Sequence, residues 1–251
     1  MEKEARVVIV AGGSGTIGGA IAEEFARQGE TVIVWGLNKE RLHAIAKSED
    51  GNIRSEHVDA TDPTEVKKAV EKVAQEHGRI DVIVNAVGNL KPVTTTMSYE
   101  DAIKAWNEMI AVNLTSSFLI TEAAVPHLTQ PGGRIVFTGS ISAYTGSGRP
   151  GGMGYAAAKA GLSGLIFALA KELGPQGVTV NAVVPGLVPD TGITSQYPSE
   201  AVQGYIDQTP VRRGGTPKDI ASAVAYLASP EAEFVTGQFL HVNGGLMLGR
   251  S

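Results

Sequence analysis

No cysteine occurs among the 251 residues. That excludes a disulfide framework, a thiolate metal site and a cysteine nucleophile. Cationic excess is missing too, since 21 Lys and Arg stand against 26 Asp and Glu for a net charge of -5. With no basic face and no run of like charges, neither nucleic acid nor a membrane surface is expected as a partner. Uninterrupted apolar runs fall short of the roughly 18 residues that a membrane span needs. The leading Met1-Glu2-Lys3-Glu4-Ala5-Arg6 carries no signal-type hydrophobic region, so the chain reads as soluble and cytoplasmic. Repeats, low-complexity tracts and linkers are lacking as well, and no metal site is expected.

What is present fits one globular domain spanning residues 1–251, with 43% hydrophobic and 19% charged residues. Glycine is plentiful, 31 against 12 prolines. It lies between apolar runs, where it marks turns and close backbone approaches.

Short apolar, β-branched runs alternate with amphipathic stretches at helical period. Strands are predicted at Val7–Val10, Thr31–Val34, Ile53–Val58, Val82–Val84, Arg134–Thr138, Val178–Val184 and Gln238–Val242. Helices are predicted at Thr16–Gln28, Lys39–Ala46, Pro63–His77, Ser98–His127, Tyr155–Leu173 and Lys218–Leu227. Strands apolar on both faces belong to a parallel sheet covered by helices on both sides. The expected fold is therefore α/β, a Rossmann-type doubly wound sheet of about seven strands. Residues 185–212 lack clear periodicity, and 186–212 is read as a substrate loop or lid, with a mobile surface excursion as the alternative.

Three segments carry chemistry. Gly12-Gly13-Ser14-Gly15-Thr16-Ile17-Gly18 separates the first strand from the first helix, where glycines let backbone N–H groups and the helix dipole meet a pyrophosphate. Asn85-Ala86-Val87-Gly88 follows the fourth strand, at a chain reversal expected at a sheet edge, with small residues that admit an adenine ribose. An ordinary turn is the competing reading of both. Tyr155-Ala156-Ala157-Ala158-Lys159 puts a phenol and an ammonium on one helical face, where the cation is expected to pull the tyrosine pKa down from about 10. A surface pair is the alternative, but the alanines and the nearby strand end Thr138-Gly139-Ser140 favour a site.

These segments, with Asp59, Asn113-Leu114, Asn181–Gly186 and Thr236-Gly237-Gln238 followed by Val242–Gly245, resemble the short-chain dehydrogenase/reductase family along essentially the whole chain. The resemblance is to its compact single-domain branch, and most of all to 3-oxoacyl-carrier-protein reductases and related ketoreductases. It implies an NAD(P)(H)-dependent oxidoreductase that interconverts a ketone and a secondary alcohol by hydride transfer. Tyr155 would be the acid/base group, Lys159 would hold the nicotinamide ribose, Ser140 would polarise the carbonyl, and Asn113 would bend its helix and anchor a water. Ser142 is the alternative serine, because the spacing from Ser140 to Tyr155 exceeds that of many relatives by two residues. In the glycine turn the family's middle glycine falls on Thr16.

The cofactor site implied by the resemblance takes in Gly12, Ser14–Gly18, Gly36–Lys39, Asp59, Ala60, Asn85–Gly88, Tyr155, Lys159, Pro185, Gly186, Val188 and Thr191. The family threonine that meets the nicotinamide amide aligns with Asp190, one position before Thr191. Gly36 stands where NAD-specific sites place a ribose-binding acid, so NADP(H) is preferred and NAD(H) is the alternative. Asn38, Lys39 and Arg41 are candidate phosphate partners, and Gly36→Asp is expected to reverse the preference. Substrate walls are expected from Leu90, Ser140, the Ser142–Met153 segment, Tyr155 and the loop after Gly186, including Ile193 and Tyr197. A free small-molecule ketone or alcohol ranks ahead of a carrier-bound acyl chain, because Pro175-Gln176-Gly177 supplies no basic docking residue. A non-catalytic redox sensor that binds the dinucleotide is the remote alternative. Relatives are commonly homotetramers built through the two long helices and the last strand, with a homodimer as the lesser form.

Overall fold

The computed structural model describes residues 4–48, 52–148 and 150–248. Met1–Lys3 of the leading segment and Arg149 of the expected substrate wall lie outside the described residues. A parallel sheet of seven strands runs in the order β3-β2-β1-β4-β5-β6-β7. The strands are β1 (Val7–Ala11), β2 (Thr31–Gly36), β3 (Ile53–His57), β4 (Val82–Asn85), β5 (Arg134–Thr138), β6 (Thr179–Pro185) and β7 (Phe239–Val242).

Strand side chains alternate between faces, so each central strand feeds two cores. Ile9, Ile83 and Phe137 point one way, Val8, Val10 and Val136 the other. The first layer is closed by α3 (Pro63–His77), α5 (Ser116–Ala124) and α7 (Met153–Leu173). The second is closed by α1 (Thr16–Arg27), α2 (Lys39–Ser48) and α9 (Pro217–Leu227), with Phe25 and Ile220 among its fully buried side chains. Helix α3 starts where Asp62 accepts from the Thr64 and Glu65 amides with Pro63 behind it, and stops at Gly78, whose φ of +75° suits glycine.

The chain winds from β1 outward to β3, then returns to β4 on the other side of β1. The reversal therefore lies between β1 and β4, inside the sheet, and not at a sheet edge as the sequence suggested. A crevice opens there because the two following connections depart in opposite directions.

The stretch predicted as one helix over Ser98–His127 is divided. Helix α4 (Tyr99–Ile110) passes through a π-helical turn at Ala111–Thr115 into α5, then into a 3₁₀ turn at Val125–His127. Within 185–212 the structure adds α8 (Ser199–Gln208), whose side chains are all at least partly exposed, which explains its faint apolar stripe. Measured by mean hydropathy and not by unbroken runs, Tyr99–His127 and Met153–Gln176 are long and apolar enough to cross a membrane. Here they lie along the sheet, with Ile120, Leu162 and Ile166 in its core.

Candidate active site

The glycine loop is tied to the end of β2, because the amides of Gly12 and Gly13 both donate to the Trp35 carbonyl at 2.9 Å. Gly12 has φ +81°, and a Cβ there would lie 2.6 Å from the Ala86 carbonyl. A Cβ on Gly18 would lie 2.4 Å from the Gly12 oxygen. Only glycine permits this closeness. Helix α1 starts at Gly15 without a side-chain cap and without an acid in its first turn, and residues 15–18 line the cavity above it. First-turn N–H groups without a cap, in a cradle that side chains would fill, suit the pyrophosphate of a dinucleotide.

That cavity, of about 410 Å³, lies at the carboxyl ends of the strands. It brings together Gly15–Gly18, Ala86, Val87, Gly88, Ser140, Ser142, Tyr155, Lys159, Pro185, Gly186, Val188, Thr191, Ile193 and Tyr197. Other candidates stand elsewhere. Asn85 donates to Ser117 Oγ and accepts from the Val87 amide, so its buried side chain shapes the turn after β4. Asp59 accepts from both the amide and the hydroxyl of Thr61, and Ala60 packs on the core. Leu90 packs with Val93, Met109 and Tyr155 in a small core beside the cavity, and Met153 is solvent-exposed.

Tyr155 occupies the first turn of α7, and the short helix α6 (Ser142–Thr145) follows β5 directly. Ser140 stands beside the Tyr155 phenol, whose pKa its hydroxyl lowers, and accepts from the Ser142 amide at 3.1 Å. Of the two candidate serines, Ser140 is therefore the one that acts on the phenol. Lys159 Nζ donates to the Thr138 carbonyl at 2.9 Å and to the Val87 carbonyl at 3.4 Å, which binds α7 to the turns after β5 and β4. Asn113 lies in the π turn, fully buried. Its Nδ2 donates to Asn89 O and Met109 O while its Oδ1 accepts from the Asn89 amide.

The expected lowering of the Tyr155 pKa is not found. Burial pushes it up to about 12, outweighing the lowering by the Ser140 hydroxyl, and Tyr197 adds to the rise. Burial also pulls Lys159 down to about 8. Loss of hydration disfavours phenolate and ammonium alike, so the low-dielectric surroundings overrule the pairing that the sequence spacing implied.

The sequence profile of a family described as enoyl-(acyl carrier protein) reductase matches residues 11–247. The 3-oxoacyl-(acyl-carrier-protein) reductase FabG of Thermotoga maritima is 36% identical over 253 residues, covering 99% of this chain and 100% of that protein. The protein of the same name from Escherichia coli strain K12 is 36% identical over 249 residues, again 99% and 100% of the two chains. The chain belongs to the short-chain dehydrogenase/reductase family. A Serratia marcescens short-chain dehydrogenase/reductase variant superimposes with a TM-score of 0.88 at 32% identity, over 97% of this chain and 98% of that one. A Brucella melitensis structure described as a short-chain dehydrogenase/reductase, glucose/ribitol dehydrogenase, reaches 0.89 at 33% identity over 99% of each.

This short-chain dehydrogenase/reductase is thus an enzyme that interconverts a ketone and a secondary alcohol by hydride transfer with a nicotinamide dinucleotide. At the β2 end of the cavity, Leu37 and Lys39 are exposed and do not line it, and Asn38 Oδ1 accepts from the Arg41 amide at 2.9 Å, capping α2. Arg41 does line the cavity. At the other end Tyr205 and Gln208 of α8, within the expected 186–212 loop but not singled out there, line the cavity, as do Leu246 and Met247 of the C-terminal segment, which the sequence reading missed. Tyr205 stacks on Tyr197 with ring centres 6.4 Å apart, and its hydroxyl sits where a Cβ of Gly148 would be, at 1.8 Å. The only local signal for these residues was a pair of tyrosines eight positions apart. Asp190 adopts φ +57° and its carbonyl accepts from Thr16 Oγ1 at 3.5 Å, while Thr191 Oγ1 meets Thr194 Oγ1 at 2.9 Å.

Proposed function

We propose that this enzyme reduces a free small-molecule ketone with NADPH, and that Tyr155 gives the proton. The observation that carries the reading is the meeting of Tyr155, Ser140 and Lys159 in one cavity with the uncapped start of α1. The bound cofactor would supply the hydride. The phenol, held protonated by its burial, is the acid for the carbonyl oxygen as charge develops there. Ser140 orients that oxygen and stabilises its charge. Lys159, anchored on the Thr138 and Val87 carbonyls, would hold the nicotinamide ribose with its ammonium, and Asn113 holds the π turn. The 186–212 segment roofs the substrate side through Tyr197 and Tyr205, within one domain.

NADPH is favoured over NADH because Gly36 offers no repelling acid and Arg41 lines the cavity as a phosphate partner. Titration of both reduced cofactors by fluorescence tests this. NADPH should bind about tenfold more tightly than NADH, and Arg41→Ala should remove most of the difference. Equal or tighter NADH binding by the wild type would overturn it.

The carrier-bound 3-oxoacyl chain is the second reading, favoured by the names of the relatives at 36% identity. Comparing kcat/KM for a 3-oxoacyl thioester on carrier protein with that for the same acyl group as a free ester decides between them. A turnover-free redox sensor would bind the cofactor yet reduce no member of a broad ketone panel. The enzyme is read as cytoplasmic and tetrameric. Ile103, Trp106 and Phe118 on α4 and α5, and Phe167 and Leu240 on α7 and β7, are exposed apolar side chains suited to further copies of the chain. Sedimentation showing only monomer at micromolar concentration would count against assembly.

A further inference from the structure

Hydrogen bonds from the Gly12 and Gly13 amides to the Trp35 carbonyl draw the glycine loop onto the end of β2, where Ser14 stands against Gly36. A Cβ built on Gly36 would lie 2.3 Å from Ser14 Oγ, 2.7 Å from Ser14 Cβ and 3.1 Å from Ser14 N. Rotation about χ1 of Ser14 moves the hydroxyl but neither of the other atoms. The strand cannot easily withdraw, because Gly36 is buried and its carbonyl accepts from the Val58 amide at 3.2 Å. Loop and strand are thus locked at a spacing that admits glycine alone at position 36.

Position 36 is where an acid, at the end of the second strand, would accept hydrogen bonds from an unphosphorylated adenosine ribose. We propose that Ser14 is a specificity-determining residue for the cofactor: its side chain holds position 36 to glycine and so keeps a ribose-binding carboxylate out of the site. This rests on the reading of the cavity as an NADPH site. It also revises the expectation from sequence that Gly36→Asp reverses the preference. The carboxylate has no room until Ser14 loses its Cβ.

Steric coupling is measured first, on the protein without cofactor, by thermal unfolding of Gly36→Ala, Ser14→Gly and the double variant. Gly36→Ala should lower the Tm by several degrees alone and by clearly less when Ser14 is already glycine. NADH and NADPH are then titrated against Gly36→Asp with and without Ser14→Gly. The single variant should lose about tenfold or more for both cofactors, and the double variant should regain NADH by at least about tenfold and prefer it to NADPH. Gly36→Asp binding NADH as tightly as wild type binds NADPH, at unchanged Tm, would overturn the proposal. So would an equal cost of Gly36→Ala in both Ser14 backgrounds. If the wild type bound neither dinucleotide, the cofactor reading would fall and this role with it. If it binds NADPH but the unfolding cycle shows no coupling, this proposal alone falls.

Discussion

Lys159 Nζ lies 5.9 Å from the centre of the Tyr155 ring and donates to the Thr138 carbonyl at 2.9 Å. The two side chains share a helical face and a cavity, yet the group that favours the Tyr155 phenolate is the Ser140 hydroxyl. Each is shifted by burial, in opposite directions, toward its uncharged form.

That pair sets the pH dependence. Lys159 is a base whose folded pKa is pulled down to about 8, so its cation is present below that value and lost as pH rises through it. Tyr155, near 12, stays protonated over the same range. Ketone reduction should therefore be level below about pH 8 and fall above it with the loss of one proton. Lys159→Arg, wherever it retains turnover, should remove the fall, because guanidinium keeps its charge. A wild-type profile of kcat/KM that stays flat to about pH 10 would contradict the assignment.

Tyr155→Phe removes the proton donor and little volume. Turnover should drop by about 10²–10⁴-fold. The dissociation constant for NADPH, read by fluorescence, should stay within about twofold, since the cradle at α1 and Arg41 is untouched.

Ser140 and Ser142 both line the cavity, but the Ser140 hydroxyl lowers the phenol's pKa while Ser142 contributes its amide to Ser140. Ser140→Ala should lower kcat by about 10²-fold or more, in the range of a lost donor to developing oxyanion charge. Ser142→Ala should change kcat far less. Steady-state rates showing the reverse order would transfer the catalytic role to Ser142.

Helix α9 closes one face of the sheet against α1, and a capping box starts it. Thr216 Oγ1 accepts from the Asp219 amide at 3.2 Å, while Asp219 Oδ2 accepts from the Thr216 amide at 2.7 Å and from Arg213. Thr216→Ala should cost about 1 kcal/mol, seen as a Tm lower by about 2–4 °C with kcat unchanged. The Asp219 pKa is held well below the usual carboxylate range, Arg213 being the largest cause. Its contribution is present above the ordinary Asp pKa and lost as pH falls through the depressed value, though exposure to solvent keeps it small. A Thr216→Ala protein that unfolds at the wild-type temperature would show that the box is idle.

The order of the strands and of most helices was legible because they are announced locally. Val7–Val10 and Val82–Val84 are β-branched runs flanked by glycine or polar residues, and Asp62-Pro63 and Gly78 bracket α3. Helix α8 was not legible, since a helix that buries no side chain fully leaves only a weak apolar stripe. The π turn at Asn113 was not legible from periodicity either. It depends on bonds between Asn113 and the Asn89 backbone, 24 positions away in the chain.

For the site, the sequence by itself determined the spacing of Tyr155 and Lys159 along one helix turn and the glycines that bring the loop close to Ala86, because both are consequences of local backbone geometry. Only the tertiary structure decided which side chains share a cavity and which are used elsewhere. Asn38 is spent on capping α2 while Arg41, three residues on, faces the site, and Leu90 belongs to a small core while Tyr205 belongs to the pocket. The same holds for charge. The sequence puts an ammonium near a phenol, but the sign of the pKa shift follows from how much water the fold removes from both, and desolvation is a property of the packed molecule and not of the motif.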